Sequence, residues 1–184
     1  MSEDNSTREP SLVEKLSGEY SAIAKYLEEN SEISFLNSLE SMTPKVLLLA
    51  GASHLEQLIQ EVILNYYRAI TSHNEMAVSF VKNKAVTRQY HTYFQWTASN
   101  ANNFFALFGE EFKTQMKERV KRDEEFDKHT QAFLELGALR NQLVHENYAL
   151  FSLNKTSEEI VNLYHDALKF VDTISACLHG GSLV

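Results

Sequence analysis

The stretch DEEFDKHTQAFLELGALRNQLVH, residues 123–145, decides the fold. Ala132, Phe133, Leu136, Leu139 and Leu143 recur at helical spacing and form one apolar stripe, so the stretch reads as a long amphipathic helix. Downstream, Thr156 and Glu159 have the spacing of a capping box. Ile160, Leu163, Tyr164, Ala167, Phe170, Val171 and Ile174 then continue one apolar face toward Gly180-Gly181. Upstream, Ser11 with Glu14 opens a helix that should run to about Asn30. Thr43-Pro44 reads as a further start, with Thr as N-cap and Pro at the first helical position, leading an apolar segment to about Ile70.

Four long helices are therefore expected. Residues 74–122 are less regular: short helical pieces are expected near Glu75–Val86, Asn102–Phe108 and Glu110–Lys121, while Gln89–Asn100, rich in aromatics and Thr, has no assignable period. The expectation is all-α, an antiparallel bundle of about four long helices with short helices in a central insertion. Residues 1–10 are expected to be a flexible N-terminus and 11–184 a single helical domain.

Composition supports this frame. The chain has 184 residues, 43% hydrophobic and 11% aromatic, enough for a sizeable core. Only 6 Gly and 2 Pro are present, too few turn formers for a many-stranded sandwich or barrel. A single cysteine, Cys177, excludes an internal disulfide and any zinc site built on several thiolates. The polar, acidic start MSEDNSTREP lacks the features of a signal peptide, and the longest purely apolar run, Val46–Ala52, is far too short to span a bilayer. The expectation is a cytoplasmic protein with no membrane association.

The net charge of −8 speaks globally against nucleic acid, but it is unevenly spread. From Met76 to Arg122, Lys82, Lys84, Arg88, Lys113, Lys117, Arg119, Lys121 and Arg122 face only Glu110, Glu111 and Glu118, a local charge of +5. Phe80, Tyr90, Tyr93, Phe94, Trp96, Phe104, Phe105 and Phe108 lie among them. Basic side chains interleaved with aromatics can hold a phosphate backbone while stacking bases, and these eight cations are the candidate RNA-binding residues. A solvated face over core aromatics gives the same pattern.

The candidate chemistry lies at Leu139-Arg140-Asn141-Gln142-Leu143-Val144-His145. With Arg140 at 0°, Asn141 falls at about 100° and His145 at about 140°, whereas Leu136, Leu139 and Leu143 lie at about 260–320°. The polar trio thus shares a side away from the core stripe. Leu134, Gly137, Ala138, Asn141 and His145 form a second stripe, whose two small residues suit close approach by another helix. A two-fold partner is one candidate for that helix, since it would set the patch against itself. Two copies of Arg140 and His145 in one cleft suit phosphodiester cleavage. Imidazole can take a proton from a ribose 2′-hydroxyl or give one to the leaving oxygen, and guanidinium can hold the charged phosphorane. Asn141 could bind the phosphate or orient His145. His54 and Glu56 are two residues apart and so on opposite helix sides, and His145-Glu146 lacks the second His of a zinc motif, so no metal and no cofactor is expected. Ser53, Glu56, Gln57 and Gln60 form a polar stripe on an otherwise apolar helix, as a hydrogen-bond network or plain surface would.

The run from Arg140 to His145 resembles the R-x(4–6)-H signature of the HEPN superfamily, with a polar residue directly after the Arg. Leu48-Leu49-Ala50-Gly51-Ala52-Ser53-His54-Leu55-Glu56, the stretch from Tyr93-Phe94 to Phe104-Phe105-Ala106-Leu107-Phe108-Gly109, and Thr156-x-x-Glu159-Ile160 are similar to the RiboL-PSP-HEPN group and related bacterial HEPN nucleases. The similarity spans roughly residues 40–178. It implies a helical bundle that dimerises through the motif helices and cleaves RNA without metal, leaving 2′,3′-cyclic phosphate ends. Toxin, antiviral-defence or RNA-processing roles go with it, as does an antitoxin or defence-system partner. Arg140, Asn141 and His145 match the signature and Glu56 matches a helix-borne acidic residue that some members place near the site, so the resemblance implies these four as the catalytic candidates. The resemblance equally admits a non-catalytic helical dimer that binds RNA, a nucleotide or a protein. A structural adaptor using the Phe and Tyr cluster is a further reading.

Overall fold

The computed structural model describes residues 10–146, 148 and 150–180. The expected flexible N-terminus lies, but for Pro10, outside the described residues. The chain is all-α, with no strand among the described residues. Its elements are α1 (Leu12–Glu29), α2 (Ile33–Ile70), α3 (Glu75–Val81), a π-helical turn (Lys82–Val86), α4 (Tyr90–Tyr93), α5 (Asn102–Ala106), α6 (Glu110–Arg122), α7 (Glu124–His145) and α8 (Ser157–Leu178).

Three of the four long helices begin where their caps demand. Ser11 Oγ accepts from Glu14 N–H at 3.2 Å, and the Glu14 carboxylate accepts from Ser11 N–H at 2.6 Å. Thr156 and Glu159 repeat the box on α8, at 3.2 and 2.7 Å. These bonds hold both carboxyls below the ordinary glutamate range. Asp123 caps α7 by accepting from Phe126 N–H at 3.0 Å.

Helix α2 corrects the sequence reading. It starts at Ile33 rather than at Thr43 and runs 38 residues straight through Pro44. Pro44 cannot donate to the Glu40 carbonyl, which in an exposed helix would break it. Here Thr43, Pro44 and Lys45 are buried, so packing outweighs the lost bond. The Thr43 hydroxyl does not cap: it donates back to the Leu39 carbonyl at 2.7 Å. The Lys45 ammonium donates to the Tyr148 carbonyl at 3.2 Å, so its charge is not left unpaired. By length and composition α2 is apolar enough to cross a bilayer, with an 18-residue window of mean hydropathy 1.2, but 44% of that window is buried against the rest of the chain.

The core lies where α2, α7 and α8 meet. Leu48, Leu55, Ile59, Val62 and Ile63 of α2 face Phe133, Leu136 and Leu143 of α7 and Ile160, Tyr164, Ala167, Phe170 and Ile174 of α8. Gly51 allows close approach, since a Cβ there would lie 3.2 Å from the Tyr164 ring. Short helices of the central segment pack aromatic residues into this core. Phe94 stacks on Phe104 with ring centroids 4.8 Å apart and meets Phe133 at 4.9 Å, and Phe133 meets Phe170 at 4.6 Å.

Candidate functional site

Three parts of the chain enclose a cavity of about 290 Å³. Helix α2 supplies Ala52, Leu55 and Glu56, and α7 supplies Phe133, Leu136, Gly137, Arg140 and Asn141. The connection after the π-turn closes it with Arg88, Tyr90, His91 and Trp96. The spacing explains the assembly: Ala52 and Glu56 are one turn apart on α2, and residues 133, 137, 140 and 141 share one face of α7.

Local backbone aims the third wall. The π-turn ends with Thr87 N–H donating to the Lys82 carbonyl at 2.7 Å, and Arg88 then takes a left-handed φ of 63° that reverses the chain. The buried Tyr93 hydroxyl donates to the Ala85 carbonyl, tying α4 back to that turn, and burial pushes its pKa up to about 12. Tyr90 thereby faces the cavity, its ring 5.6 Å from that of Trp96. Burial pushes the Tyr90 hydroxyl pKa well up, the Glu56 carboxylate adds to this, and Arg140 opposes it. Tyr90 is thus a neutral hydroxyl in the fields of a carboxylate and a guanidinium.

Of the sequence-predicted residues, Arg140, Asn141, Glu56 and Arg88 come together here. Arg140 Nη1 donates to Asn141 Oδ1 at 3.1 Å, and Glu56 Oε1 accepts from Gln60 at 3.3 Å. His145 does not border the cavity: it is the last residue of α7, exposed, one turn beyond Asn141. Tyr90 and Trp96 were expected only as members of a base-stacking row and His91 not at all, because their segment has no periodicity that would place them at this cavity. The one available signal was the fit of a small residue, Gly137, to the chain's single tryptophan.

That fit corrects the expected dimer stripe. A Cβ at Gly137 would fall 1.9 Å from Trp96 Cζ3, so the gap left by this glycine is filled by the chain's own indole. Leu134 is also buried, at 3% exposure. Neither is available to a second copy; Ala138 and Asn141 are half-buried, and only His145 of the five is exposed.

The basic segment divides. Lys82, Lys84 and Arg88 are exposed around the π-turn. On α6, Lys113 pairs with Glu110 at 3.1 Å, and Lys121 and Arg122 pair with Glu118 at 2.8 and 3.9 Å, while Lys117 is exposed. Arg119 is structural: it reaches Asp123 at 3.6 Å, donates to Cys177 Sγ at 3.2 Å and lies 5.2 Å over the Phe126 ring. The expected base-stacking row is mostly core, with Tyr93, Phe94, Phe104 and Phe105 buried and only Phe80 largely exposed. Among the described residues, no group of three or more His, Cys, Asp or Glu side chains is placed to hold a metal ion.

A model of the RiboL-PSP-HEPN family matches residues 14–179, from the first turn of α1 to the end of α8. The chain belongs to the RiboL-PSP-HEPN family. Membership fits the all-α bundle. No curated protein and no solved structure matches the chain. HEPN domains of this kind are associated with ribonuclease or nucleotide-binding roles.

Proposed function

We propose that this RiboL-PSP-HEPN protein is an endoribonuclease that cleaves RNA by attack of a ribose 2′-hydroxyl on the adjacent phosphate. One observation carries the reading: Arg140 and Asn141 stand bonded to each other at the mouth of a cavity, with His145 exposed one turn further along the same helix. An imidazole removes the 2′-hydroxyl proton, O2′ bonds to phosphorus, the P–O5′ bond breaks, and a second imidazole protonates O5′. A 2′,3′-cyclic phosphate and a 5′-hydroxyl result. Arg140 holds the charged phosphorane and Asn141 orients it. One chain offers one His145, so a second copy supplies the other. That homodimer would use the end of α7 around the exposed His145, with the half-buried Ala138 and Asn141 beside it, not the covered Gly137. The family resemblance extends the proposal to a role as toxin, in defence or in RNA processing, with a partner protein controlling it.

The test is incubation of the purified protein with total RNA in EDTA, followed by mapping of cut sites and end chemistry. Cleavage with cyclic phosphate ends, lost in Arg140→Ala and His145→Ala, is expected. Intact RNA, or cleavage that persists in His145→Ala, overturns the reading. A second reading, a non-catalytic dimer that binds a nucleotide, is favoured by the distance of His145 from the cavity. It predicts nucleotide binding with no cleavage to lose.

A further inference from the structure

The cavity lined by Arg140 also has an aromatic wall and a carboxylate that the cleavage step does not use. Its floor is apolar, made by Leu55, Phe133 and Leu136, and its wall is aromatic, made by Tyr90 and Trp96. Arg88, His91 and Arg140 border it, and Glu56 is its one carboxylate. A planar base against the aromatic wall, with its phosphate toward the guanidinium groups, matches this distribution. At about 290 Å³ the volume suits one nucleotide rather than a longer segment.

Glu56 decides which base. A carboxylate only accepts hydrogen bonds. Its neighbour Gln60 occupies Oε1 at 3.3 Å, a long contact that leaves lone pairs on both oxygens. Guanine alone presents two adjacent donors on its Watson–Crick edge, N1–H and the N2 amino group. Adenine and cytosine each set an acceptor nitrogen beside their amino group, and uracil flanks its single N–H with two carbonyls. Each of these three would press a lone pair against the carboxylate in a partly desolvated pocket, a costly arrangement.

We infer that this cavity is a guanine-binding subsite, in which the Glu56 carboxylate accepts from the N1–H and N2–H groups of one guanosine nucleotide whose phosphate meets Arg88 and Arg140. The inference builds on the RNA-cleavage reading by giving it a base preference, yet binding at this site does not require cleavage. Trp96 is the chain's single tryptophan and forms part of the cavity wall, so its fluorescence reports occupancy directly.

The experiment titrates the four nucleoside 3′-monophosphates into the full chain and into His145→Ala, following Trp96 emission and confirming with calorimetry. Guanosine 3′-monophosphate is expected to bind at least about tenfold more tightly than the other three in both proteins. Glu56→Gln, nearly isosteric and checked for an unchanged melting temperature, is expected to erase that preference. Equal binding of all four nucleotides, no binding of any, or a guanine preference that survives Glu56→Gln overturns the inference. RNA cleavage without guanine preference would remove the subsite and leave the nuclease reading standing. Guanine binding with no cleavage would do the reverse.

Discussion

On α6, Lys113, Arg119, Lys121 and Arg122 each stand within 3.9 Å of a carboxylate on the same helix or at its cap. At the cavity, Arg140 instead donates to the neutral Asn141, and Arg88 lies exposed on the rim. Of the +5 of residues 76–122, α6 carries +2 and the segment with Lys82, Lys84 and Arg88 carries +3, and Arg140 lies outside that count altogether. A cation already matched by a neighbouring carboxylate adds little field toward a phosphate, whereas one beside a neutral amide at a cavity mouth keeps its field for a ligand. Local pairing, not the density of Lys and Arg along the chain, separates the two.

The largest contrast is in cleavage. Arg140→Ala is expected to lower the initial rate of RNA cleavage at least ~100-fold, through loss of phosphorane stabilisation. The triple change Lys117→Ala, Lys121→Ala and Arg122→Ala should alter it less than about threefold, since exposed and locally paired charges contribute little. Gel-based rates for the two variants decide it; a triple variant as inactive as Arg140→Ala would make α6 the RNA track. Next comes Gly137→Ala, which drives a methyl into Trp96 and should cost about 1–3 kcal/mol, read as a lowered melting temperature together with a red-shifted Trp96 emission. Arg119→Ala removes contacts to Cys177, Asp123 and Phe126 and should cost about 1 kcal/mol in denaturant unfolding, while leaving cleavage unchanged. Smallest is Lys121→Ala, whose exposed, solvent-screened pair with Glu118 should leave the unfolding midpoint in the same assay unchanged.

The long helices were legible because their signals are local. Capping boxes at Ser11 and Thr156 and the stripe on α7 lie within one or two turns of the residues they govern, and each marks an element of the structure. Thr43-Pro44 misled for the opposite reason. The burial that keeps α2 helical through Pro44 comes from residues distant in sequence, among them Tyr148, whose carbonyl Lys45 reaches. Of the site, Arg140, Asn141 and Glu56 could be read from helix geometry and resemblance. Tyr90 and Trp96 could not, because a π-turn and a left-handed Arg88 place them, and neither leaves a periodic trace. His145 was legible as a motif residue but not as an exposed one outside the cavity, since helical phase fixes direction and not how far the neighbouring helix extends.

Gly137 and Trp96 form a lock in sequence space. Neither position can change alone without cost, because a side chain at 137 collides with the indole and a smaller residue at 96 opens a hole above a bare helix backbone. Relatives of this chain should therefore show the two positions drifting as a pair, glycine with tryptophan or a bulkier residue with a slimmer one. Lineages that made the second choice would have rebuilt one wall of the cavity, and with it whatever the cavity selects.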